Sequence, residues 1–144
     1  MAQLRIEDEP APMRVPPLLD ELNTEYWTGG LAGELRIMRC QSCGLWHHPP
    51  TLVCRRCLSR ELKAEPVSGK GTVAAFTINH QQWSPTATTE PYVIAIVELV
   101  EQEGLRQTTN VVNCDVGDVT IGMPVRVVFT KLDDVALPLF EPDT

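Results

Sequence analysis

The second half of the chain is dominated by alternation of apolar and polar positions. Over residues 72–80, Ala74, Phe76, Ile78 and His80 share one face, and Val73, Ala75 and Thr77 the other, the period of two that marks a strand. Residues 92–100 are nearly all apolar, which suits a strand buried on both faces. Glu101-Gln102-Glu103-Gly104 turns the chain into a third strand over residues 105–113, and Ile121-Gly122-Met123-Pro124 breaks it before a fourth over 125–132. Residues 135–140 supply a short fifth. Four or five antiparallel strands in under eighty residues, with no helical period between them, favour a small closed barrel of the OB-fold type over a sandwich. Ser68-Gly69-Lys70-Gly71 opens this part as a turn, because no helix follows it to cradle a phosphate.

The first half is patterned differently. Leu18, Leu22 and Tyr26 recur every four residues, with Leu19 and Trp27 beside them, between Pro16-Pro17 and Gly29-Gly30, which predicts an amphipathic helix over 18–27. Tyr26 and Trp27 read first as packing residues, but on so small a body the helix can also meet a partner. Residues 7–17 are too rich in proline and charge for a regular element and read as an extended lead-in. Leu35 and Ile37 share a face of a short extended segment over 35–39 that delivers the chain to the first knuckle. The expected organisation is therefore a lead-in over 1–17, a helix over 18–33, a ribbon over 34–65 and a barrel over 66–144, with a separate core in each of two small lobes.

Chemistry is concentrated in the ribbon. Cys40-Gln41-Ser42-Cys43 and Cys54-Arg55-Arg56-Cys57 stand ten residues apart, and two such knuckles supply the four thiolates of a tetrahedral zinc site. Gly44 follows the first pair, where a positive φ lets backbone amides turn toward sulfur. Four sulfurs fill a tetrahedron, so His47 and His48 are taken as surface or interface residues, and Zn²⁺ bound here stabilises the fold without catalysing. Leu45-Trp46-His47-His48-Pro49-Pro50, between the knuckles, is apolar for so small a tip; Trp46 must pack on the barrel or face another protein. Arg55 and Arg56 flank the sulfurs and compensate the dianionic centre, or contact an anionic group.

Composition narrows the partners. The net charge of −7 divides into −4 over residues 1–33, +3 over 34–65 and −6 over 66–144. An acidic barrel offers no continuous basic surface to phosphates, which argues against nucleic acid. No apolar run approaches the ~20 residues of a membrane span. The acidic start resembles no signal peptide, and with the unpaired Cys114 it points to a reducing cytoplasm. Neither Cys114 nor His80 has a companion that would make it a nucleophile or base, so no catalytic residues are expected.

The order of helix, rubredoxin-like zinc ribbon and small OB-fold-type β-barrel, mainly β overall, resembles a bacterial and archaeal family first catalogued as a domain of unknown function and described as acyl-CoA-associated zinc-ribbon and OB-fold proteins. The matching pieces are Glu25-Tyr26-Trp27-Thr28-Gly29, the two cysteine pairs with Pro49-Pro50 between them, Val67-Ser68-Gly69-Lys70-Gly71-Thr72-Val73, and Ile121-Gly122-Met123-Pro124-Val125. Thr51 stands where many relatives carry arginine and Arg55 where many carry proline, so no arginine contact is transferred to position 51. The resemblance implies a non-catalytic subunit that binds a thiolase-superfamily enzyme and completes its acyl-CoA site. Residues 110–142 look most like the branch paired with steroid side-chain aldolases, whose lipid-transfer-protein-like partner performs a retro-aldol cleavage of a hydroxyacyl-CoA. The assembly this resemblance implies is a hetero-oligomer, a heterotetramer in that branch, with Trp27, Leu45 and Trp46 as partner contacts and Arg55 and Arg56 near the CoA phosphates.

Overall fold

The computed structural model describes residues 6–8 and 14–144. Strand β1 (Ile6–Asp8) therefore lies within the expected lead-in, while its residues 1–5 and 9–13 fall outside the described residues. The helix α1 (Thr24–Thr28) is much shorter than the 18–27 expected, and a 3₁₀ turn (Gly29–Ala32) continues it. Side-chain chemistry explains the late start. Asp20 Oδ1 accepts from the amides of Leu22 and Asn23 at 2.9 and 2.8 Å, and Asn23 Oδ1 accepts from the Asp20 amide at 2.9 Å. These bonds tie residues 20–23 into a turn that competes with helix, and Leu18 is left exposed.

Next comes a three-stranded antiparallel ribbon in the order β3 (Trp46–His47), β2 (Leu35–Cys40), β4 (Leu62–Val67). The barrel is built from β5 (Lys70–Asn79), β6 (Tyr92–Leu99), β7 (Arg106–Val111), β8 (Pro124–Leu132) and β9 (Val135–Pro142). β5, β6 and β7 pair antiparallel in sequence, β8 pairs with both β5 and β9, and a parallel contact between Val111 and Phe140 closes the ring. This is the five-stranded closed barrel expected of an OB-fold. β1 runs parallel to β8, with Ile6 opposite Phe129.

Two expectations about faces are corrected. The β5–β6 register passes from Val73↔Val97 to Ala75↔Ile96, leaving Ala74 as a bulge. The extra residue reverses the alternation, so Val73, Phe76 and Ile78 all contribute to the core although simple periodicity separates them. β6 is buried on one face only: Val93, Ala95, Val97 and Leu99 point into the barrel, while Ile96, on the other face, is exposed among the described residues.

Nor are there two separate cores. Tyr26, Leu35, Ile37 and Trp46 belong to one apolar cluster with Val73, Val97, Phe129 and Phe140 of the barrel. The 3₁₀ turn seats on the barrel through Gly30, where an added Cβ would lie 2.4 Å from Phe129 Cδ1 and 2.6 Å from Ala136 Cβ. Gly30 thus does more than end a helix. Because both neighbours are fully buried, Gly30→Ala should overpack this seat and destabilise the chain by about 1–3 kcal/mol in denaturant unfolding. No helix among the described residues is long and apolar enough to cross a membrane.

Candidate metal centre and the junction beneath it

The two knuckles bring Cys40, Cys43, Cys54 and Cys57 together, with all four sulfurs within 4.8 Å of one another. Cys40 Sγ stands 3.5 Å from Cys57 Sγ, and Cys43 Sγ 3.6 Å from Cys54 Sγ. These separations are too long for disulfides and close to the roughly 3.8 Å edge of a tetrahedron with Zn–S bonds of about 2.3 Å. Cys40 and Cys54 are buried, Cys43 half-buried and Cys57 exposed. A metal ion held this way has four protein ligands and no open position, which is a structural zinc site.

The surroundings favour thiolate at the first knuckle. The Leu45 amide, and then the Arg56 guanidinium and neighbouring sulfurs, lower the Cys43 thiol to about 6 against the cost of burial. Cys57, although assisted by the Ser59 amide, is pushed up to about 12 by desolvation and by the other three sulfurs. Four crowded sulfurs do not readily ionise together unless a cation neutralises them, which is the electrostatic case for a metal. Arg56 donates to the Cys43 carbonyl at 2.9 Å, so its charge is held at the centre. Arg55 is exposed and makes no hydrogen bond or ion pair among the described residues; it lines a cavity of about 220 Å³ with Trp46 and His47.

Of the three aromatic and aliphatic partner candidates, Trp46 is turned inward. Only 8 % of it is exposed, the Arg39 guanidinium lies 4.6 Å from its ring centre, and its backbone is clamped by Gln102: the Trp46 amide donates to Gln102 Oε1 at 3.0 Å and Gln102 Nε2 donates to the Trp46 carbonyl at 3.1 Å. Of the two roles open to Trp46, packing on the barrel is therefore the one observed, and Trp27 and Leu45 are half-buried. His47 and His48 are not surface residues either. His47 is buried and His48 half-buried, and the His48 ring packs 4.7 Å from that of Tyr26. Tyr26 joins helix to barrel by donating to Gln107 Oε1 at 2.7 Å, and burial raises its phenol far above the usual value. His47 Nε2, His48 Nδ1 and Gln107 Nε2 are buried without a hydrogen-bond partner among the described residues, which residue pattern does not reveal. Cys114 is half-buried, and burial with Asp118 and Asp115 raises its thiol, the opposite of an activated nucleophile.

Comparison with known proteins agrees with this arrangement. Residues 27–63 match the model of the ChsH2 rubredoxin-like zinc ribbon domain, and residues 64–130 that of the ChsH2 C-terminal OB-fold domain. A DUF35 domain-containing scaffold protein of Methanocaldococcus jannaschii is 37% identical over 98 residues, covering 67% of this chain and 68% of that protein. The chain belongs to the DUF35 family. A chain of a solved structure described as the Ltp2-ChsH2(DUF35) aldolase superposes with a TM-score of 0.78 at 32% identity, covering 88% of this DUF35 chain and 98% of that one. Two longer relatives also match. The probable enoyl-CoA hydratase alpha subunit of Thermomonospora curvata is 33% identical over 137 residues, 94% of this chain and 42% of that protein. The 3-oxo-4,17-pregnadiene-20-carboxyl-CoA hydratase alpha subunit of Mycobacterium tuberculosis is 38% identical over 118 residues, 82% of this chain and 37% of that protein. The DUF35 chain thus spans about two fifths of the length of these two hydratase subunits.

Proposed function

We propose that this DUF35 chain is a non-catalytic subunit that binds and completes a thiolase-like acyl-CoA aldolase of the lipid-transfer-protein type, one that cleaves a steroid side-chain hydroxyacyl-CoA by a retro-aldol reaction. The observation that carries the reading is the match to nearly the whole of a chain from the Ltp2-ChsH2(DUF35) aldolase. The chemistry of the chain agrees with it: a four-sulfur centre has no position for substrate, so what the ribbon offers a partner is a rigid surface. Arg55, exposed and without a partner among the described residues, is the arginine available to a CoA phosphate, whereas Arg56 is engaged by the Cys43 carbonyl. In this reading the two kinds of subunit form a cytoplasmic heterotetramer. The hydratase activity in the longer relatives' names is not transferred, because the matched region is the smaller part of those proteins.

Co-expression with a lipid-transfer-protein-type thiolase homologue from the same organism tests the proposal. One size-exclusion peak containing both chains, with cleavage activity that requires both, is the expected result; separate elution and independent activity would sink it. A second reading, an accessory subunit for Claisen chemistry in a thiolase, draws on the printed description of the archaeal relative as a scaffold, a role that does not depend on which reaction the partner performs. Supplying the purified complex with a hydroxyacyl-CoA or with acetyl-CoA separates the two, since only an aldolase releases a carbonyl product from the first.

A further inference from the structure

The two knuckles are built alike. In the first, the Gly44 amide donates to the Cys40 carbonyl at 2.9 Å and the Cys40 amide to the Leu45 carbonyl at 2.9 Å; in the second, the Leu58 amide donates to the Cys54 carbonyl at 3.0 Å and the Cys54 amide to the Ser59 carbonyl at 2.9 Å. The residue after each pair consequently takes the left-handed conformation, with φ of 79° at Gly44 and 63° at Leu58. Glycine adopts it freely, whereas a leucine Cβ crowds the following carbonyl. The other non-glycine residues with positive φ among those described are Asn113 and Asp133, whose short polar side chains tolerate it. Leu58 has no such tolerance, and the fold does not use its side chain, which is 73% exposed. Leu52, just before the same knuckle, is 69% exposed. Backbone strain and apolar exposure therefore coincide at one residue, with nothing among the described residues to offset either.

The surroundings indicate what covers it. Arg55, Arg56 and Arg60 are exposed on and beside this knuckle, and the ribbon carries +3, or +1 with the −2 of four thiolates around Zn²⁺ counted, between segments of −4 and −6. An apolar side chain with a guanidinium rim matches an apolar pocket edged by carboxylates on another protein. We propose that Leu58, supported by Leu52 and rimmed by Arg60, anchors the second knuckle in such a pocket on the thiolase-superfamily subunit. This rests on the subunit reading above, and it moves the contact from the ribbon tip, where Trp46 is already buried, to the far knuckle.

Leu58→Gly separates docking from folding because the two respond in opposite directions. Glycine fits the left-handed backbone, so the melting temperature should rise with zinc content undiminished, while the Kd for the purified thiolase-like partner from the same organism, read by biolayer interferometry, weakens about tenfold or more. Leu58→Met should keep the wild-type Kd, and Leu52→Ser should weaken it without lowering the melting temperature. Should the glycine variant lose zinc, Leu58→Asn, also at home at positive φ, replaces it in the same measurement. A Kd unchanged in both Leu58→Gly and Leu52→Ser would overturn the docking surface and leave the subunit reading standing. Failure of the wild-type chain to bind would instead remove the subunit reading itself. A change confined to the sedimentation of this chain alone would place a second copy on the knuckle and overturn the assigned partner.

Discussion

Replacing Cys54 with serine should remove the zinc and unfold the ribbon in one step, with zinc released to a chromogenic chelator and, on the subunit reading proposed above, the complex with the thiolase-like partner no longer assembling. Cys54 is fully buried, 3.6 Å from Cys43 Sγ, and its amide closes the second knuckle on the Ser59 carbonyl. A hydroxyl in its place is a poor ligand for a metal otherwise held by soft thiolates. Structural zinc contributes an apparent binding free energy of about 10–16 kcal/mol, comparable to the ~5–15 kcal/mol total stability of a typical domain. The ribbon has little else to hold it: between Leu35 and Val67 its buried apolar side chains are Leu35, Ile37 and Trp46 besides two of the cysteines. Those three residues also complete the cluster that continues into the barrel, so the barrel's melting temperature should fall as well. Chelation of the wild-type chain should reproduce the loss and added zinc should reverse it, whereas zinc should not rescue Cys54→Ser. An intact, active complex carrying the serine variant would refute the structural role of the metal.

The metal centre was legible because everything that defines it is local. Four cysteines at two fixed spacings determine a ligand set whatever the rest of the chain does, and Gly44 announces its turn by its identity. The barrel strands were legible for a related reason, since burying one face imposes a period that survives in the residue order. What residue order does not carry depends on distant partners or on a single competing side chain. Trp46 is buried by a clamp from Gln102, 56 residues away, and Tyr26 finds its acceptor in Gln107, 81 residues away. The helix was overextended because Asp20 and Asn23, polar residues consistent with an exposed helical face, instead bind the backbone around them. The bulge at Ala74 has no signature in a run of small and β-branched residues. Leu58 could have been found by setting the knuckles side by side, Cys-Gly against Cys-Leu, since equivalent positions demand equivalent backbone.

Acid should weaken the junction between ribbon and barrel within a defined window. The His48 ring lies against Tyr26 with Nδ1 buried and unpartnered, and desolvation lowers its pKa from 6.5 to about 4. The folded chain therefore holds this imidazole neutral where the unfolded chain would protonate it, and the unfolded state binds the extra proton. Stability is fully present above about pH 6.5, declines as pH falls toward 4, and has lost roughly 3 kcal/mol from this group once pH lies below 4. His47 adds to the loss in the same sense, since burial, and then the charges of Arg55 and Arg56, lower its pKa too. Loss of zinc also accompanies acid, because protons compete for the thiolates, so a titration of the wild-type chain alone would mix the two. His48→Phe resolves them: it keeps a ring against Tyr26 and removes the titrating nitrogen without touching a ligand. Denaturant unfolding between pH 6.5 and 4, with zinc content followed in parallel, should show a shallower decline for His48→Phe, and at pH 5 the variant should be the more stable of the two. Identical pH profiles for the two chains would show that His48 is not held neutral by burial.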